Sequence, residues 1–157
     1  MAGVSEDVEV KVAAEAAAEF TSRYYSTWNK PNVGAELVQF YVKSNPESPL
    51  KSDITINGNI VEDPSDLVAI QQNLPTKTHY EVQSYDCHVV NPNYNVGAPD
   101  NLLEPNAAGK KMSIMVMVSG SVKYPDEEAR GFMDNVLLVP NWDITSKKDI
   151  KEKKRWL

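Results

Sequence analysis

Along residues 6–29, Val8, Val12, Ala16, Phe20, Tyr24 and Trp28 recur at every fourth position, and Ala13, Ala17 and Tyr25 widen the stripe. This spacing gathers them on one face of a helix, the alanine-rich middle favours helix intrinsically, and Pro31 ends it. The stripe is thin in its first half and bulky in its second, which suits a helix laid along a curved sheet. Leu37 to Val42 is a candidate short helix ahead of the loop SNPESP. In "DITINGNIV" (53–61), Asn57-Gly58 between two β-branched runs predicts a hairpin with a tight turn. "DPSDLVAIQQNLP" (63–75) predicts a third helix, capped by Asp63, begun by Pro64, complemented at its dipole by Asp66 and stopped at Asn73 and Pro75. Three strands are expected after it, at about 79–90, 112–124 and 131–140. Helices and a hairpin followed by an antiparallel meander make an α+β domain, with the helices against one face of the sheet.

The strands carry a sharper message than their existence. In 112–124, Met112, Ile114, Val116, Val118, Val122 and Tyr124 form a nearly continuous apolar face that belongs in a core. The opposite face reads Ser113, Met115, Met117, Ser119, Ser121, Lys123, and two methionines among small polar residues make an odd solvent face. In the next strand Phe132, Asp134, Val136 and Leu138 share one face, while Met133, Asn135, Leu137 and Val139 share the other. Both faces are largely apolar, and the helices suffice to cover only one. The second face therefore expects a cover, either another protein or a further segment of this chain.

Composition narrows the class. The chain has 157 residues, enough for one domain with its own core, 41% of them hydrophobic and 24% charged. The single cysteine, Cys87, excludes an internal disulfide framework and fits a reducing compartment. The opening MAGVSEDVEV has neither the basic nor the apolar region of a secretory leader. A formal charge of −6 and a pI near 4.9 argue against nucleic-acid binding over the whole surface. The charge is uneven: 146–156 (SKKDIKEKKRW) carries six Lys/Arg against two acids, so the −6 divides into +4 there and −10 elsewhere. Lys147, Lys148, Lys153 and Lys154 in that block are candidate RNA contacts, with a solvated turn as the plainer alternative.

Candidates for catalysis are few. His79, His88, Asp86 and Asp134 are the available acid–base groups, and Asp86 and His88, two apart, share a strand face. They read as a surface pair before a catalytic one. The chain has no Gly-rich phosphate loop, no Cys/His metal spacing and no Gly-x-Ser-x-Gly elbow, so neither a cofactor nor a metal is expected. The nineteen residues 91–109 are rich in Asn, Pro and Gly and read as a functional or disordered loop. They hold Asp100 and Glu104 and no Lys or Arg, which disfavours phosphate binding by the loop.

"FTSRYYSTWNK", "DITINGNIVEDPSDLVAIQQNLP", "YDCHVV", "VMVSGSVKY" and "GFMDNVLLVPNW" stand in the order and spacing of nuclear-transport-factor-2-like domains. Within that family the chain resembles the small subunit of the mRNA export receptor, of the fungal mRNA transport regulator type, from about Phe20 to Trp156. The resemblance implies a cone-shaped α+β fold, a strongly curved antiparallel sheet with helices on its concave face, over a single domain, 1–157. It implies a nonenzymatic role: the sheet pairs with the like domain of a large subunit, and the heterodimer binds Phe-Gly nucleoporins. The complex carries ribonucleoprotein, and in fungi large ribosomal subunits, through the nuclear pore, shuttling between nucleus and cytoplasm. Met117, Met133 and Asn135 match interface positions of the family, and the alternation adds Met115, Leu137 and Val139. Where relatives often carry Gln in an F-x-Q-x-F strand, this chain has Asp134 and Val136. A last strand is expected after Trp156, where the chain stops at Leu157. Two alternatives stay open: a homodimeric transport factor for a small GTPase, and an isomerase or dehydratase of the same cone using Asp86 and His88.

Overall fold

A computed structural model describes residues 5–30, 34–42, 52–75, 77–96, 98 and 111–142. The predicted long helix is α1, Glu6–Trp28, with Glu6, Asp7 and Glu9 complementing the dipole of its first turn. Its buried face is the expected stripe from Ala13 to Tyr25, joined by Thr21. Helix α2 is Gly34–Val38, earlier than expected, and i→i+3 bonds from Phe40 and Tyr41 to Leu37 and Val38 continue it as a tighter turn.

The hairpin is β1, Ile54–Ile56, paired antiparallel with β2, Asn59–Val61. Asn57 (φ 50°) and Gly58 (φ 82°) take the left-handed values that the Asn-Gly turn requires. Helix α3, Asp66–Asn73, starts after a turn in which Asp63 Oδ1 accepts the Ser65 N–H at 2.9 Å. Ile54, Val61 and Leu67 close a small core between hairpin and α3.

The main sheet is β3, His79–Asn91; β4, Ser113–Lys123; and β5, Arg130–Leu138, antiparallel in that order. Its inner face, the parity of Ile114, Val116 and Val118, packs on α1 in the principal core. Between Val82 and Ser84 the register of β3 slips by one residue against β4. The partner of Val82 there is Gly120, whose missing Cβ would lie 2.0 Å from the carbonyl oxygen of Glu81. The bulge and the glycine are one feature, since only a residue without a side chain lets β3 approach so closely.

Asn29, just past α1, fastens helix to strand. Its Oδ1 accepts the Tyr80 N–H at 2.7 Å and its Nδ2 donates to the Tyr80 carbonyl at 2.9 Å. Gln71 Nε2 donates to the Lys30 carbonyl at 3.0 Å, drawing α3 to the same corner.

Candidate protein-interaction face

The outer face of the sheet is built from three cross-strand rows. Ser84, Ser119 and Met133 form the first, Asp86, Met117 and Asn135 the second, and His88, Met115 and Leu137 the third. The rows follow from the period of two in each strand, with the β3 bulge resetting its parity so that Asp86 and His88 point outward. Met133 is 73% exposed, Leu137 49% and Met117 38%, while Met115 is half-buried between its neighbours. Large apolar side chains therefore run over the β4–β5 side of this face, with polar residues of β3 beside them. Ser84 and Ser119 join hydroxyl to hydroxyl at 2.7 Å, and Asp86 Oδ2 lies 3.4 Å from His88 Nε2. Polar residues beside an apolar strip are the arrangement of a protein interface.

Of the expected interface residues, Met115, Met117, Met133, Asn135 and Leu137 share this face. Val139 does not. Regular pairing of β5 ends at Leu138, and Leu138, Val139 and Pro140 are all buried. Alternation lasts only as long as the pleat, so the period of two no longer assigns Val139 a face once the strand has ended. Lys147, Lys148, Lys153 and Lys154 lie outside the described residues, as do most of 91–109 and everything after Trp142.

Asp134 does not converge with the Asp86–His88 pair. Asp86 and His88 are exposed on the outer face, whereas Asp134 stands on the inner one, in the parity of Phe132 and Val136. Tyr25 donates its hydroxyl to Asp134 Oδ2 at 2.5 Å, so the carboxylate is held by α1. The space beside it is filled with rings: Phe20 stacks on Tyr24 at 4.9 Å, Tyr25 lies 5.5 Å from Phe132, and Tyr80 is 5.7 Å from Phe132. The hydroxyls of Tyr24 and Tyr41 bond to each other. Tyr24, Tyr25 and Trp28 fill the interior between α1 and the sheet, together with Phe20, Tyr41 and Tyr80. The Asp134–Tyr25 partnership spans 109 residues and had no signal in local spacing.

Burial pushes all these phenols up: Tyr80 to about 12, Tyr24 against its bond to Tyr41, and Tyr25 with the Asp134 carboxylate adding to the effect. Burial and the proximity of Tyr24 raise Tyr41 likewise. In the unfolded chain each ionises near 10. The folded state therefore holds more protons above pH 10, and stability falls as pH rises from there, while below pH 10 these groups contribute no pH dependence. Urea titrations from pH 9 to 12 should show that decline, shallower in Tyr25→Phe by about 1.4 kcal/mol per pH unit.

No family model matches the chain, and no curated protein matches it. Solved structures do. Over 92% of its length the chain is similar to the structure described as the Chaetomium thermophilum Mex67 NTF2-like domain complexed with Mtr2, at 27% identity, 93% of that chain and a TM-score of 0.77. It is similar to that of a Sac3N peptide bound to Mex67:Mtr2 at 29% identity, over 92% of this chain and 94% of that one, with a TM-score of 0.76. The structure of Mtr2 matches at 27% identity, 92% and 94% coverage and a TM-score of 0.72. Nuclear transport factor 2 from Cryptosporidium parvum, at 20% identity and a TM-score of 0.56, shares the fold. With helices on one side of an antiparallel sheet and an apolar strip on the other, the chain has the nuclear-transport-factor-2-like fold and is similar to Mtr2 over 92% of its length.

Proposed function

We propose that this chain is the nonenzymatic small subunit of a heterodimeric nuclear mRNA export receptor. Its outer sheet face pairs with the nuclear-transport-factor-2-like domain of a large, Mex67-type subunit. One observation carries the reading: Met117 on β4 and Met133 and Leu137 on β5 stand exposed together on one face of the sheet. Methionines adapt their shape to a partner at little cost, and their exposure to water is otherwise unfavourable. The likeness to structures in which Mtr2 is complexed with a Mex67 NTF2-like domain supplies the kind of partner. Met115 and Asn135 complete the contact, and the Asp86–His88 pair lies beside it.

The heterodimer, in this reading, binds Phe-Gly nucleoporins and moves ribonucleoprotein through the nuclear pore, shuttling between nucleus and cytoplasm. Lys147, Lys148, Lys153 and Lys154 assist RNA binding by the complex, in a salt-dependent way. Asp86 and His88 stand exposed on the outer face of the sheet, on the side opposite the ring-filled interior, which supports a binding role over an isomerase using them.

The test is assembly. The chain is purified alone and with the Mex67-type domain of the same cell, and mass is measured by light scattering. A stable 1:1 heterodimer is expected. A homodimer of this chain that does not exchange with the Mex67-type domain would overturn the reading and favour a GTPase carrier.

A further inference from the structure

The methionines of the described chain differ in their access to water. Met112 is fully buried and Met115 half-buried, whereas Met117 and Met133 stand exposed on the outer face. Met117 lies opposite Asn135 and Met133 opposite Ser119, so the two exposed thioethers occupy adjacent rows on a diagonal. Diagonal neighbours on a sheet face stand about 7–8 Å apart, within reach of each other's long side chains.

A thioether sulfur has no proton to lose and is open to oxidants at any pH. The chain's single thiol is placed differently. Cys87 is partly buried against the principal core, and burial, with the Asp86 carboxylate adding to it, pushes the thiol up. The thiolate is the reactive form of cysteine, and these surroundings disfavour it. Met117 and Met133 are therefore the freely accessible sulfurs of the described chain, and both lie on the surface assigned to the large subunit.

We propose that the outer face is an oxidation-sensitive assembly switch: a hydroperoxide converts Met117 and Met133 of the unpaired chain to sulfoxides, which prevent pairing with the Mex67-type domain. The inference rests on the heterodimer reading of this face. In the step, a sulfur lone pair attacks the terminal oxygen of the peroxide. The S–O bond forms as the O–O bond breaks, and the sulfur is oxidised by two electrons. The proton of the attacked oxygen passes to the departing one, which leaves as water from hydrogen peroxide or as an alcohol from an organic hydroperoxide. Oxidation turns a flexible apolar side chain into a polar, chiral one. On the free chain the sulfoxide oxygen points into water. Under a partner sheet it loses that water beside Met115 and Leu137, so pairing weakens. A seated partner covers both sulfurs, and the reaction is confined to the free chain. Methionine sulfoxide reductases reverse it.

The experiment treats the full chain with hydrogen peroxide, removes the reagent and titrates the chain calorimetrically with the Mex67-type domain. A loss of affinity of at least tenfold is expected, with one added oxygen located by peptide fragmentation on each of Met117 and Met133 and none on Met112. The oxidised free chain should melt within about 2 °C of the untreated one, because both sulfurs are exposed, which separates lost pairing from lost folding. The same exposure should leave Met117 and Met133 unoxidised in the preformed heterodimer, and reductases of both epimer specificities should restore pairing. In the double variant Met117→Leu, Met133→Leu, whatever its own affinity, peroxide should change that affinity less than twofold. In Cys87→Ala the tenfold loss should persist. Unchanged affinity of a chain oxidised at both positions would overturn the proposal. So would a loss that vanishes in Cys87→Ala or persists in the double variant. An untreated chain that fails to pair at all would instead remove the heterodimer reading, and this inference with it.

Discussion

A glutamate at Met117 or Leu137 abolishes pairing with the large subunit, with an expected loss of at least a hundredfold in affinity. Met117 lies at the centre of its row, between Asp86 on β3 and Asn135 on β5. When a partner sheet covers this face, a carboxylate at that point loses its water, and among the described residues its own and the adjoining rows hold no lysine or arginine to pair with it. Stripping an unpaired charge of solvent costs several kcal/mol, and central interface positions contribute most to affinity. A loss of about 3 kcal/mol corresponds to roughly a hundredfold. The free chain tolerates the change, because Met117 and Leu137 are 38% and 49% exposed before any partner arrives. Calorimetric titration with the Mex67-type domain, beside thermal melts of each variant alone, measures both effects. Unchanged affinity for Met117→Glu would remove the outer face from the assembly.

Gly120→Val prevents stable folding, the largest effect expected from a single methyl-bearing side chain here. A Cβ at Gly120 meets the Glu81 carbonyl oxygen at 2.0 Å and the Phe132 ring at 3.0 Å. The first obstacle is backbone, so no rotamer relieves it, and either β3 separates from β4 or the bulge is lost. Loss of the bulge would turn Asp86 and His88 inward. Overpacking of this kind typically costs 1–3 kcal/mol where side chains can yield, so about 3 kcal/mol or more is expected where they cannot. Two other glycines serve as controls in urea denaturation. Gly131→Ala should be nearly neutral, its Cβ meeting only the Gly120 carbonyl oxygen at 4.0 Å. Gly58→Ala has open space around it, but its φ of 82° makes it cost about 1 kcal/mol. If Gly120→Ala is as benign as Gly131→Ala, the close approach of β3 at the bulge is not a constraint on the fold.

Much of this architecture was legible along the chain because it is set by backbone periodicity. A stripe at every fourth residue places Phe20 and Tyr24 on one side of α1, and a period of two divides Val116 from Met117 and Phe132 from Met133. The turn chemistry of Asn57-Gly58 is equally local, as its positive φ values bear out. Thr21 reads as an ordinary helix position, and Gln83 reads as one more residue in an alternating strand. Nothing in their neighbours signals a buried hydroxyl or a bulge. Gly120 inside an apolar strand was the one local sign of the bulge.

The sequence by itself determined an α+β chain, a buried helix stripe, and a sheet with one more apolar face than its helices can cover. Only the tertiary structure decided which side chains close the remaining polar groups: Asn29 on Tyr80, Tyr25 on Asp134 and, among the described residues, nothing on Thr21. It also decided that Val139 is buried, because the strand had to end before the alternation could fail. The physical reason is range. Periodicity follows from the geometry of consecutive residues, whereas hydrogen-bond partners and strand register depend on residues tens of positions apart meeting at fixed distances, which no local pattern encodes.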